Sequence, residues 1–320
     1  MKTITLVFLA IFSLPSLLLA AASQDSPSHR KLLLESDRIV FLGDSITYKG
    51  DYVSNFETWL KALYSKRNFD VVNLGLPSET VSGLSENGHA GGKFPRPDLF
   101  TRLDSVLEKT KPDLIFACYG MNCGIYQPLD EQRFQKYKDG ISKLKKKAEE
   151  SGATIIFLTP ATFDSKRKPK QAHYAEVLNT YADWLVSQRQ NGWLVIDIHS
   201  HMRNALDEEQ KQNPTFTYQK DAIHPNSAGH WVMTQPIIRW FGDIPASQCS
   251  SPSDLLSFHH LPASIHPLVK QRMQVKRNAW LSHTKHQRPG IKPGLPLDQA
   301  NAKATELTKE ITRLVKLTTR

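Results

Sequence analysis

Four short stretches of this chain put chemically capable side chains where the rim of a sheet would present them. Ser45 lies in Gly43-Asp44-Ser45-Ile46-Thr47, directly after the apolar run Arg38-Ile39-Val40-Phe41-Leu42. A hydroxyl at a sharp turn beyond a buried strand suits a nucleophile, provided a base reaches it. Asp221-Ala222-Ile223-His224-Pro225 holds an imidazole with a carboxylate three residues before it. That is near enough, in one turn, for the carboxylate to accept the ring's second N–H and hold its tautomer. Gly75, in Asn73-Leu74-Gly75-Leu76-Pro77, and Asn122, in Tyr119-Gly120-Met121-Asn122, each follow a further apolar run. Singly, each of these residues has a plainer reading as a turn or helix-cap residue. Their order along the chain is what gives them weight.

The elements that would position them alternate. Strands are expected at Arg38–Leu42, Asp70–Leu74, Leu114–Tyr119, Thr154–Leu158 and Leu194–Ile198, and helices at 53–66, 97–110, 129–151, 171–191 and 226–241. The strands are continuous apolar runs, as a sheet buried on both faces requires. Alternating βα units predict a five-stranded parallel sheet between two helical layers, an α/β/α fold, with ligands outside the carboxyl ends of the strands. The loop Ser82–Pro97 is too glycine-rich and long for a simple connector and reads as a lid or surface decoration. Residues 246–262 read as a linker. Beyond them, helices at 264–286 and 297–317 form an appendage, the second with Ala300, Ala304, Leu307, Ile311 and Leu314 on one face.

Composition bounds the rest. Residues 1–22 have the make-up of an export signal: Lys2, an apolar stretch from Ile4 to Leu19, and Ala20-Ala21-Ala22. A polar linker is expected at 23–37, one large domain at 38–245, and a basic extension at 246–320. The expected address is periplasmic or extracellular. No later stretch is apolar enough to span a bilayer. Three cysteines do not make a disulfide framework; Cys118 reads as a core residue, and a Cys123–Cys249 bridge is left open. Of the net charge of +10, residues 263–320 carry +9, from twelve Lys/Arg against three Asp/Glu. That tail is a solvated surface or a contact for anionic glycan or membrane head groups. With no recognisable nucleic-acid-binding motif, a nucleic-acid partner is not expected.

Over about residues 38–242 the chain resembles the SGNH hydrolases, also called GDSL-type lipases and acylhydrolases, named for a serine, glycine, asparagine and histidine at these positions. The resemblance implies a flavodoxin-like sheet and acyl-ester hydrolysis without a cofactor. Ser45 would attack the carbonyl, His224 would move the proton and Asp221 would orient the imidazole. The backbone N–H groups of Ser45 and Gly75 and the side-chain amide of Asn122 would meet the oxyanion. Asp44 and His89 are further candidates for contact with substrate. The chain departs from the family pattern at Cys123, where aspartate is usual, and at Ser78, where glycine is common.

Other constellations carry less. Asp197-Ile198-His199-Ser200-His201 has a metal-ligand spacing if extended, but it lies where the family has a strand and a polar turn, so no metal is expected. His259, His260, His266, His283 and His286 are scattered. The expected function is therefore an exported serine esterase acting on acetyl esters of carbohydrate. Its form Gly-Asp-Ser-Ile-Thr and the lack of a long apolar lid favour the carbohydrate-esterase branch. The alternatives are a lysophospholipase or thioesterase and, from another class, a non-catalytic glycan-binding module.

Overall fold

Five stretches with apolar middles form the strands: β1 (Arg38–Gly43), β2 (Asp70–Asn73), β3 (Leu114–Cys118), β4 (Thr154–Leu158) and β5 (Leu194–Ile196). They belong to a computed structural model that describes residues 26–318; the segment expected to direct export lies outside those residues. All pairings are parallel, in the order β2-β1-β3-β4-β5. Val40 stands opposite both Val72 and Ile115, so β1 is an interior strand, buried on both faces. The chain steps out from β1 to β2, then crosses back to β3. That reversal opens a crevice at the carboxyl ends of β1 and β3.

Helices cover both faces. After β1 come a single turn, α2 (Ser45–Lys49), and α3 (Asp51–Leu63); α4 (Leu103–Thr110) precedes β3, α5 (Glu131–Glu150) follows it, and α6 (Tyr174–Ser187) leads into β5. The series closes with α7 (Ile198–Gln212) and α8 (Ser227–Trp240). On one face Phe41 and Phe116 stack at 4.7 Å and meet Phe56 of α3; Phe241, just past α8, packs against Phe56 and Phe116. On the other, Tyr137 of α5 stacks on Tyr181 of α6 at 4.2 Å. Such aromatic pairs add to the burial of apolar area that holds the layers together.

Three expectations need correction. The linker at 23–37 contains a helix, α1 (Ser26–Leu34), because Leu33 is fully buried in the main core and His29 stacks on Trp240 at 3.5 Å. Residues 198–212 are helical rather than a turn: Asp197 caps α7 by accepting the Ser200 amide at 3.0 Å, and Ile198, Met202 and Leu206 are buried. Within the linker expected at 246–262, α9 (Pro252–Phe258) buries Leu255 and Leu256, with the Ser251 hydroxyl as its N-cap. The three cysteines are free and buried, so Cys123 and Cys249 form no bridge.

The basic tail is docked rather than appended. Helix α10 (Ile265–His283) sends Met273, Trp280 and Leu281 into the main core, and α11 (Leu297–Thr318) packs Ile311 and Val315 with Leu256, Leu261, Ile265 and Val269 in a second cluster. Several of its cations face inward. Arg272 pairs with Glu57 of α3, Lys276 with Asp70 of β2, and Lys270 with Asp51 at 2.6 Å. Lys276 Nζ also donates to Val71 O at 2.8 Å. Arg277 lies 4.1 Å over the Tyr48 ring. Among the described residues no helix is long and apolar enough to cross a membrane.

Candidate active site

The crevice brings Ser45, Asn122 and His224 to one cavity of about 510 Å³. Ser45 opens α2, whose N-cap is Asp44: its Oδ1 accepts the Ile46 amide at 2.9 Å. Helix α2 can start so close to the sheet because residue 43 has no side chain; a Cβ there would sit 2.0 Å from Thr47 Oγ1. The Ser45 hydroxyl is 2.8 Å from His224 Nε2. His224 Nδ1 is 2.6 Å from Asp221 Oδ2. A carboxylate only accepts, so Nδ1 carries the proton and Nε2 is left to accept from Ser45 Oγ. Asp221 Oδ1 meanwhile accepts the amides of Ile223 at 3.0 Å and His224 at 2.8 Å. Partial burial would raise the Asp221 carboxyl, but the His224 ring and these amides outweigh it and hold it at about 2. Lys49 at the end of α2 donates to Pro225 O at 2.9 Å, tying the serine's helix to the histidine's turn.

Asn122 is fixed as a donor. Its Oδ1 accepts from Arg96 Nη1 at 2.9 Å and Tyr126 OH at 3.2 Å, which leaves the amide nitrogen on the other side. That nitrogen makes one long bond, 3.4 Å, to Glu79 O. Glu79 is itself immobile: Arg102 grips both its carboxylate oxygens at 2.6 and 2.7 Å, and Tyr119 OH donates to Oε2 at 2.6 Å. Among the described residues the Ser45 amide, at the start of its helix, has no hydrogen-bond acceptor.

Two sequence-derived roles change. The Gly75 amide is not free: it donates to Asn73 Oδ1 at 2.9 Å, because the Asn73 side chain folds back over the turn while its Nδ2 holds Thr47 O at 2.6 Å. Glycine is needed at 75 for another reason, since a Cβ there would lie 2.3 Å from the Tyr48 amide nitrogen. Asp44, expected as a substrate contact, is buried under α2 and does not line the cavity. His89 does line it, 3.6 Å from Glu86, with its imidazole lowered by burial and by nearby Arg96.

Sequence reasoning missed Arg96, Glu86, Tyr126, Lys168 and Arg288, all of which line the cavity. Arg96 forms a two-pronged ion pair with Glu86 at 2.6 Å per bond, pinning the glycine-rich loop as a wall. The only available signal was that loop's unusual length. Asp197, His199 and His201 are not gathered: His199 Nδ1 meets Pro160 O at 3.0 Å and His201 Nε2 meets Gln235 at 3.1 Å. Among the described residues no group of three ligand-type side chains could hold a metal ion. Burial pushes the Cys123 thiol up to about 12, so it is no nucleophile.

Residues 41–232 match the model of the GDSL-like lipase/acylhydrolase family. The chain belongs to that family, and is a serine ester hydrolase. A search of curated proteins found no match. Among solved structures, the chain is similar to BT4096, a gut microbial diltiazem-metabolizing enzyme, at 22% identity over 65% of this chain, with a TM-score of 0.51. It spans only 47% of that protein's length. It is also similar to Axe2, an acetylxylan esterase from Geobacillus stearothermophilus, at 19% identity over 64% of this chain and 94% of that one, with a TM-score of 0.50. These likenesses concern the fold.

Proposed function

We propose that the protein is an exported esterase that removes acetyl groups from carbohydrate, with Ser45 as nucleophile, His224 as general base and acid, and Asp221 as the orienting carboxylate. The observation that carries this is the unbroken relay of 2.8 Å from Ser45 Oγ to His224 Nε2 and 2.6 Å from His224 Nδ1 to Asp221. Attack on the acyl carbon forms the Ser45 ester as the proton passes to Nε2. His224 then returns that proton to the departing alcohol, and water repeats the sequence to release the acid. The developing oxyanion would meet the Ser45 amide and the Asn122 side chain. The Gly75 amide could join only by leaving Asn73.

Support for a polar alcohol comes from the hydrogen-bonding and charged groups on the cavity walls, Ser78, Glu86, His89, Arg96, Lys168 and Gln171, which stand beside Pro77, Tyr126 and Ile223. A lysophospholipase or thioesterase would need an apolar groove. The acetylxylan activity of the structurally similar Axe2 supports the sugar ester. Export is supported by the composition of residues 1–22, and the amino terminus of the mature protein would test it.

A fluorophosphonate probe should label the wild type at Ser45. Ser45→Ala should lose labelling and at least ~10³-fold in kcat/KM while melting at the same temperature. Faster turnover of nitrophenyl esters longer than eight carbons than of the acetyl ester would defeat the sugar-ester reading.

A further inference from the structure

Arg288, from the connection between α10 and α11, reaches the wall of the same cavity. Its Nε donates to Pro77 O at 2.9 Å and its Nη1 to Pro289 O at 2.7 Å, and the guanidinium lies 5.3 Å from the centre of the Phe94 ring. These contacts aim the group while leaving other N–H donors of its five unused. Lys168, between β4 and α6, lines the same cavity. Among the described residues neither cation has a carboxylate within ion-pair distance. Of the acids nearby, Glu86 is paired with Arg96, and Asp221 is turned toward the His224 ring. Arg288 and Lys168 thus put two unpaired positive charges on the cavity wall, and an anionic group on a bound substrate would be drawn to the part of the wall they line.

We propose that the site selects esters whose carbohydrate part carries an anionic group, a carboxylate or a sulfate, with Arg288 as the principal contact and Lys168 as the second. This rests on the esterase reading above. The flat guanidinium fork matches either anion through paired hydrogen bonds, and Lys168 adds a point charge. The tail's basic character thus reaches function through one residue at the site rather than through a diffuse surface.

The test uses three acetylated methyl galactosides that differ only at C6: hydroxymethyl, carboxylate and sulfate ester. The expected result is a kcat/KM at least ~10-fold higher for one or both anionic compounds, shrinking in 0.5 M salt. The better of the two identifies the anion. Arg288→Gln should collapse the ratio of anionic to neutral turnover, and Arg288→Lys should retain part of it. Should Arg288→Gln fail to fold, wild-type inhibition decides: free methyl galacturonoside should compete and neutral methyl galactoside should not. Equal turnover of all three, or a ratio that survives in both Arg288→Gln and Lys168→Gln, overturns the inference. Turnover of nitrophenyl acetate without any anionic preference sinks this proposal alone, whereas failure on nitrophenyl acetate as well sinks the esterase reading with it.

Discussion

Asp44 stands next to Ser45 in sequence and out of reach of solvent in space. Burial raises its carboxyl to about 6 from 3.8, against the opposing hydrogen bond from the Ile46 amide. The folded state therefore holds this proton more tightly than the unfolded one. Its contribution to stability is fully present below pH 3.8 and is lost as pH rises through 6. Asparagine keeps an oxygen for the Ile46 amide without the buried charge. Asp44→Asn should thus stabilise the fold by ~1–3 kcal/mol at pH 7 and leave it unchanged near pH 3.5, read from urea midpoints at the two pH values. Ser78 makes a second case. It holds φ 68°, a left-handed conformation costly for any residue with a Cβ, at the position where glycine is common in the family. Ser78→Gly should gain ~0.5–1 kcal/mol, seen as a higher melting temperature.

At the scale of elements, the short turn α2 is held at both ends by its neighbours, through Asn73 to Thr47 O and through Lys49 to Pro225 O. The loop after β2 is fastened likewise by the buried Glu79–Arg102 pair, and the Glu79 backbone carbonyl accepts from Asn122. Removing one partner strands the other charge in a dry interior. Glu79→Ala should destabilise by ~3–5 kcal/mol in urea titration, because it strands Arg102. The strands and most helices were legible because each is a contiguous apolar or amphipathic run, and Ser45, Asp221 and His224 because their residue types and order suit one chemistry. Helix α7 was hidden by its polar surface: Asp197, His199 and His201 looked like ligands on an extended segment, whereas burial of Met202 and Leu206 winds them into a helix. Gly75 kept its importance but for close packing, a distinction that no spacing reveals. Arg96 and Arg288 act across long loops, where local sequence carries no record of what the backbone will face.

For the whole molecule, the uneven charge along the sequence resolves into complementarity. Glu57, Asp70 and Asp51 on the α/β body meet Arg272, Lys276 and Lys270 of α10, while Met273, Trp280 and Leu281 complete the core. Deleting the chain from residue 264 onward should bare both the apolar seam and these carboxylates. The expected result is insoluble protein or a broad, early urea transition; a soluble truncation with an unchanged midpoint would mean that the two parts fold independently.

The position of Arg288 on the cavity wall has a consequence for the order in which the molecule is made. Ser45 directly follows the first of the five strands to be made, yet part of the chamber around it is contributed by a residue synthesised after the whole sheet and all of α10. Until residue 288 is in place, the groove around Ser45 and His224 lacks that part of its wall. The chamber is complete only once the hairpin of α10 and α11 has docked.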